Sequence, residues 1–376
     1  MAHGGSSLRL AGVPISQANH ILGASYQLYN HVETNETILR TISYSLPAAL
    51  HAHVQTVMPT TCFASLRAPW KAPRQHSSRA AADIEKAASG EPVMVLSNRD
   101  QTSEITPSFL SWIYNSWAYT PTATLWNDLG VVGFEGVYPS RTDLKAFMNK
   151  YARYGPDATF KAVPVNGGGY YDPWNANLEA NLDIQYTEAI AYPTPHIFYG
   201  VDQGLWGKDD PYLLWLKYIL DQPSIPPTIS ISYGTEEKYY PLIDAVYVCL
   251  LFAQLAARGV SVLFASGDYG VGNGDCGTQN GPNNVRFDTL FPSSCTCSDF
   301  SWIKRVAQIQ TQVTHHAGFA GPAVTSVGGT TGRDPEVAAS LSGGGFSNYF
   351  DRPPYQMRAV SKYLQQFGNA YQGLYK

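Results

Sequence analysis

Apolar positions in this chain fall into short runs separated by glycine- and proline-rich turns, and their spacing changes twice along the length. Near the start the runs are Ile15 to Leu22, an alternating Ile38, Arg40, Ile42, Tyr44, and Leu46 to Val57. Alternation with period two suits a strand covered on one face, so Thr37 to Tyr44 is predicted as a strand in a small α+β unit. Residues 67–100 lose that pattern. Ala, Ser, Pro, Arg and Lys dominate there, which marks a linker or processing segment with at most one helix, over 80–88.

From Ile105 onward strand and helix signals alternate. The continuous apolar runs Leu129 to Phe134 and Val260 to Ala265 predict strands buried on both faces. Thr159 to Val165, His196 to Val201 and Thr228 to Ser232 are further strands. Between them lie helices: one capped by Thr142, one beginning near Glu179, one over Pro211 to Tyr218 with proline in its first turn, and one over Ile243 to Arg258 closed by Gly259. Repeated β-α-β order predicts an α/β fold with a doubly wound parallel sheet, whose sites lie beyond the strand C-termini. Thr325 to Thr330 and Ser342 to Ser347 read as tight glycine loops.

Composition narrows the picture. Charged residues make up 14% of the 376 positions, well below the roughly 25% of an average soluble protein. A net charge of -4 provides no basic field, so nucleic acid is not an expected partner. No apolar run approaches the roughly 20 residues that span a bilayer, so no membrane partner is expected either. Abundant Gly (33), Pro (25) and Tyr (25) fit a secreted, loop-rich enzyme, and the sequon Asn35-Glu36-Thr37 agrees. Residues 1–5 nevertheless lack the basic and apolar regions of a signal peptide. Of five cysteines, Cys249 falls inside the apolar helix and is expected as a buried thiol, while Cys276 with Cys295 or Cys297 would close a surface loop. Cys295-Thr296-Cys297 is too tight for a zinc knuckle and has no second pair, so no metal site is expected.

The candidate chemistry centres on Leu178-Glu179-Ala180-Asn181-Leu182-Asp183. Four residues apart on a helix, Glu179 and Asp183 share a face and lie within reach of each other. Neighbouring carboxylates push their pKa values apart, so one can hold a proton that the other orients. Two loops beyond strand ends join them. Ser266-Gly267-Asp268 puts a carboxylate between glycines where a backbone can approach a ligand closely, although an Asx-turn would use the same residues. Ser232-Tyr233-Gly234 leaves a strand where an extended peptide could pair by β-augmentation.

Taken in order, five stretches resemble the sedolisin family of serine-carboxyl peptidases, which includes the tripeptidyl peptidases. They are Glu179-Ala180-Asn181-Leu182-Asp183, Ser230-Ile231-Ser232-Tyr233-Gly234, Ala265-Ser266-Gly267-Asp268, Thr325-Ser326-Val327-Gly328-Gly329-Thr330 and Gly343-Gly344-Gly345-Phe346-Ser347. Residues 14–61, with Thr41-Ile42-Ser43-Tyr44-Ser45-Leu46-Pro47, resemble the end of the family's activation prodomain. The resemblance implies a subtilisin-like fold divided into a partial prodomain (1–65), a linker or processing segment (66–103) and a peptidase domain (104–376). It also implies peptide or protein substrates, acid-pH activity, secretion, a monomer and a calcium ion whose ligands lie beyond residue 376. By the same resemblance Glu179 is the general base, Asp183 holds it, and Asp268 supports the oxyanion; Ser232, Tyr233 and Gly234 bind substrate. Tyr269 departs from the family, which commonly has a small residue there.

Two further departures bear on activity. The family's nucleophile sits in a Ser-Gly-Thr-Ser motif downstream of the Gly-Gly-Gly-Phe-Ser loop, and no Gly-Thr-Ser occurs in this chain. Ser232, Ser266, Ser326, Ser342 and Ser347 do not match its position, so a chain truncated before the nucleophile and inactive is expected. Residues 296–321 interrupt a junction that is nearly direct in the family, as retained intron sequence in a faulty gene model would. A peptide-binding pseudoenzyme that keeps the cleft around Ser232 and Asp268 is the alternative reading. A retaining glycosidase built on Glu179 would need a second carboxyl roughly 5 Å away across a sugar cleft, and the order of the motifs argues against it.

Overall fold

The strand and helix signals beyond residue 105 resolve into one six-stranded parallel sheet. The computed structural model describes residues 10, 12–30, 37–51, 53–54, 56–63, 105–122, 127–152, 154–167, 177–202, 210–272, 277–278, 281–295, 323–332, 335–368 and 374. The first part holds helix α1 (Ile15–Leu22) and an antiparallel pair, β1 (Gln27–Asn30) with β2 (Thr37–Arg40). The predicted strand over 37–44 therefore ends at Arg40, whose buried guanidinium donates to the carbonyls of Leu39 and Cys62. Among its described residues, Leu46 to Val57 contains one 3₁₀ turn, Ala48–Leu50.

After α2 (Pro107–Ile113) come β3 (Leu129–Gly133), α3 (Arg141–Tyr151), β4 (Phe160–Val165), α4 (Leu178–Ala191), β5 (His196–Val201), α5 (Pro211–Leu220) and β6 (Thr228–Ile231). The short β7 (Thr235–Glu236) precedes α6 (Leu242–Ala257) and β8 (Ser261–Ala265). Minor strands follow: β9 (Gly277–Thr278), β10 (Gly281–Val285) and β11 (Leu290–Phe291). The chain goes on through β12 (Thr325–Val327), β13 (Thr330–Thr331), β14 (Val337–Ala338) and α7 (Met357–Phe367). The main sheet has the order β12-β8-β6-β3-β5-β4, every pair parallel.

Both faces of that sheet are covered, which is why its strands read as continuous apolar runs. Successive residues of β3 point to opposite sides: Val131 packs with Leu144, Met148, Ala180 and Ile184 of α3 and α4. Val132 packs with Trp215, Leu216, Val248 and Phe252 of α5 and α6. Phe198 and Tyr199 of β5 divide the same way. Between β5 and β6 the chain crosses from one side of β3 to the other, and the helices change face with it. This is the switch point at which open α/β sheets place their sites, beyond the strand C-termini.

Several sequence expectations are corrected. Ser140, not Thr142, caps α3, its hydroxyl accepting the Asp143 N–H at 3.1 Å, because the helix already begins at Arg141 and Ser140 is the residue with extended φ/ψ. Thr325–Val327 is an edge strand beside β8 rather than a loop; the glycines that marked a loop follow it directly. Cys249 is not a buried thiol but is disulfide-bonded to Cys295, with Cα atoms 5.4 Å apart. The apolar packing of α6 brings it against the segment after β11, a neighbour that spacing cannot reveal. Cys62 is buried and takes no part in that disulfide. The helix proposed over 80–88, the sequon asparagine, Cys276, Cys297 and residues 296–321 lie outside the described residues.

At the start of β5, the end of the sheet away from the strand C-termini, Glu188 and His196 are both buried, with Oε1 and Nδ1 3.3 Å apart. That is ion-pair distance, yet burial pushes Glu188 up to about 8 and His196 down to about 4, so the pair is neutral around pH 6. The Nδ1–H donates to the Thr194 carbonyl at 2.9 Å. A raised carboxyl means that the folded state holds more protons than the unfolded state between 4.5 and about 8, so its contribution falls as pH rises through that window. A lowered histidine acts with opposite sign between about 4 and 6.5. The two offset each other up to pH 6.5, above which only the loss from Glu188 continues. Urea unfolding of wild type and Glu188→Gln across this range is expected to show a wild-type-minus-variant stability that falls by about 2 kcal/mol between pH 6.5 and 8. A flat difference would mean that Glu188 titrates normally.

Candidate active site

The chain enters α4 through Asn177, whose side-chain oxygen accepts the N–H groups of Glu179 at 2.9 Å and Ala180 at 3.4 Å. This cap places Glu179 in the first helical turn. The N-termini of α3 and α4 are tied together: Asn181 Nδ2 donates to Asp143 Oδ2 at 2.9 Å, and the Ser140 N–H donates to Asn181 Oδ1 at 2.7 Å. The first turn of α4 is thus held from two sides.

Asp183 turns toward the end of β6, where Ser232 Oγ donates to its Oδ1 at 3.0 Å. Glu179 is only 6% exposed. Burial pushes Glu179 up to about 8, reinforced by the charges of Asp183 and then Asp268, with the Ser232 hydroxyl pulling the other way. Burial likewise pushes Asp183 up to about 7 against the Ser232 hydrogen bond. Asp268 leaves β8 on an exposed loop, and partial desolvation raises its carboxyl from the ordinary value. The structure therefore gathers Glu179, Asp183, Ser232 and Asp268 at the C-terminal ends of β6 and β8, with their charges acting on one another. Such a cluster can store protons and pass them to or from a group placed among the carboxyls.

Gly234 faces elsewhere, whereas Tyr233 buries its ring in the core with its hydroxyl under the charges of Asp183 and Glu179. The Tyr233 ring is buried edge-on against Phe134 at 5.3 Å, and its carbonyl accepts the Tyr212 hydroxyl at 3.0 Å. A side chain at Gly234 would meet Leu290 at 3.1 Å and the Phe291 carbonyl at 3.3 Å, so glycine there lets β11 approach β7. Sequence reasoning passed over two buried or strand-end carboxyls, one of them close to Tyr233 and the other farther off. Glu135 follows β3 at φ +62°; burial raises the Tyr233 and Tyr212 hydroxyls most, and the charge of Glu135 adds to those of Asp183 and Glu179 on Tyr233 and to that of Asp210 on Tyr212. A non-glycine left-handed residue at a strand end was the available signal, and it is a backbone property that no spacing displays. The other is Glu237, buried beside the loop that carries Ser347.

The α/β fold with carboxyls at its switch point can now be set beside known proteins. Residues 5–63 match the family model described as Pro-kumamolisin, activation domain. Tripeptidyl-peptidase SED2 of Arthroderma otae is 30% identical over 96% of this chain. Tripeptidyl-peptidase SED3 of the same fungus is 32% identical, and probable tripeptidyl-peptidase SED3 of Arthroderma benhamiae 31% identical, again over 96%. The chain spans 57% of the length of each of these relatives. A Pseudomonas sedolisin structure superposes on 68% of this chain and 66% of its own at TM-score 0.44 and 19% identity, too remote to carry an argument. The activation-domain match and the tripeptidyl-peptidase relatives support identification of this chain with the sedolisin family.

Removing the Ser232 hydroxyl tests its hold on the pair. In Ser232→Ala, both Glu179 and Asp183 are expected to titrate higher, by roughly one pH unit, because a hydrogen bond to the ionised form is lost. Carboxyl-detected NMR titration reads this directly; unchanged midpoints would show that the hydroxyl does not govern the pair.

Proposed function

We propose that this chain carries the proton-handling part of a serine-carboxyl peptidase acting on peptides or proteins, as a tripeptidyl peptidase or an endopeptidase. The observation that carries the reading is the buried Glu179–Asp183 pair, ordered by Ser232 and under the charge of Asp268. In the proposed reaction a serine hydroxyl gives its proton to Glu179 as its oxygen attacks the scissile carbonyl. Asp183 holds Glu179 in position, and a protonated Asp268 donates a hydrogen bond to the oxygen that becomes negative. A histidine base would be protonated and idle in acid, and Glu179, pushed up to about 8 by burial, likewise accepts a proton only once the pair has lost one. Opposite demands bound the working pH: Asp268 has to keep its proton, and the Glu179–Asp183 pair has to have lost one.

The attacking serine is assigned outside residues 1–376, because Ser232 already serves Asp183 and the remaining candidates do not match the nucleophile motif. Secretion fits the Cys249–Cys295 disulfide, which persists in oxidising compartments. The proposed division is the prodomain over 1–65, the linker over 66–103 and the peptidase domain from 104. Among the described residues no group of three or more His, Cys, Asp or Glu side chains can hold a metal ion, so no step is routed through calcium.

Peptide release in acid, measured on the product of the complete transcript, tests the assignment. Glu179→Gln is expected to cost roughly 10²–10⁴-fold in kcat, and Asp268→Ala roughly 10²–10³-fold. Residues 1–376 expressed alone are expected to release nothing. Variants near the wild-type rate would overturn the roles of these carboxyls, and turnover by residues 1–376 alone would overturn the placement of the nucleophile.

A further inference from the structure

Glu237 follows β7 and is fully buried, away from the pair on α4. Its Oε1 accepts the hydroxyls of Ser294 at 2.9 Å and Ser347 at 2.6 Å, and its Oε2 accepts the backbone N–H groups of Asn348 at 2.6 Å and Tyr349 at 3.2 Å. One carboxylate thus binds the segment after β11 and the segment after the Gly343-Gly344-Gly345 run. Ser347 has no freedom to turn away, because its oxygen already accepts the N–H groups of Tyr349 at 3.1 Å and Phe350 at 2.8 Å. Its proton has to go to Glu237. Four donors converge on a charge that burial would otherwise expel, and desolvation still leaves Glu237 raised.

What the clasp holds is the loop that lies on the Asp268 turn. The Gly343 N–H donates to the Gly267 carbonyl at 2.7 Å, the Gly270 N–H donates to the Leu341 carbonyl at 2.8 Å, and Val271 bridges Gly344. The approach is close enough that a Cβ on Gly343 would lie 1.9 Å from the Ser266 carbonyl oxygen. Ser266, Gly267 and Asp268 are therefore pinned from above by a loop whose far end is fastened at Glu237.

We propose that Glu237 is a positioning residue that, through the 342–349 loop, fixes Asp268 where its carboxyl faces Glu179. The inference rests on the peptidase reading for its purpose, but its geometry stands apart from any turnover. The charged and titratable groups around Glu237 are Lys238, whose Nζ lies 3.8 Å from Asp288 Oδ2, together with Asp288, Glu236 and Tyr349. None of them touches the pair on α4, so the route from Glu237 to Glu179 runs through the loop.

The test follows the Glu179 carboxyl by NMR titration in the full chain, with circular dichroism confirming the fold. Asp268→Ala removes the charge of Asp268 and is expected to lower the Glu179 midpoint by roughly half a pH unit or more. Glu237→Ala is expected to lower it in the same direction, and Glu237→Gln less, because the amide oxygen still accepts the Asn348 and Tyr349 N–H groups. In an Asp268→Ala background, Glu237→Ala is expected to add nothing. Should Glu237→Ala fail to fold, Ser347→Ala removes a single strand of the clasp and is expected to give a smaller shift of the same sign. A folded Glu237→Ala with an unshifted Glu179, an unshifted Ser347→Ala, or an undiminished effect without Asp268 would each overturn the proposal. Failed peptide-release assays would leave it standing, and its own failure would leave the carboxyl roles intact.

Discussion

Burial of ionisable carboxyls at the N-terminus of α4 is the constraint on which the rest of this structure turns. The helix dipole favours negative charge at that end, by about 0.3–1 kcal/mol and up to about 2 in partly buried sites. Removal from water outweighs it: Glu179, ordinarily near 4.5, is pushed up to about 8, a change on the order of 5 kcal/mol between its two protonation states. A helix end that merely wanted stability would expose Glu179 to solvent. Here the Asn177 cap, the Asn181 ties to α3 and the Ser232 hydroxyl hold the pair in place instead. The same first turn that gains from capping is thereby committed to storing protons.

The sheet makes this arrangement possible. With apolar layers on both faces, its strands β3, β6 and β8 bury Val131, Val132, Ile229, Ile231, Val262 and Phe264, and the candidate polar chemistry collects where they end. Parallel order sends all those ends the same way. Ser232 and Ser266 are consequently neighbours in space although 34 positions separate their numbers in the chain. The buried Glu188–His196 pair at the opposite end of the sheet shows the other outcome: two groups able to form an ion pair stay neutral because nothing there supplies enough hydrogen bonds to hold separated charge.

Loops rather than elements complete the site, and they are held by close backbone approach. A methyl group at Gly343 would collide with the Ser266 carbonyl, and one at Gly234 would press tightly on Leu290 and the Phe291 carbonyl. Glu237 adds the charged counterpart, gathering hydroxyl and amide donors from segments that have no regular structure. A clasp of this kind does in irregular chain what a hydrogen-bond ladder does in a sheet.

Local chemistry was enough to read much of this protein from its residues. Period-two and unbroken apolar runs marked β3 to β6 and β8, and proline at the start of α5 and Gly259 after α6 bounded helices, because those signals act within a few residues. The i,i+4 spacing of Glu179 and Asp183 likewise sufficed to put them on one helical face. Distance along the chain defeated the rest. Cys249 with Cys295, β12 beside β8, Tyr233 turned into the core and Glu237 under Ser347 are all partnerships between segments that only packing brings together. Nor could spacing tell whether Glu179 would lie in water or out of it, and that difference separates an ordinary helix surface from a proton store. Burial is a property of the assembled fold, and it is burial that sets the charge.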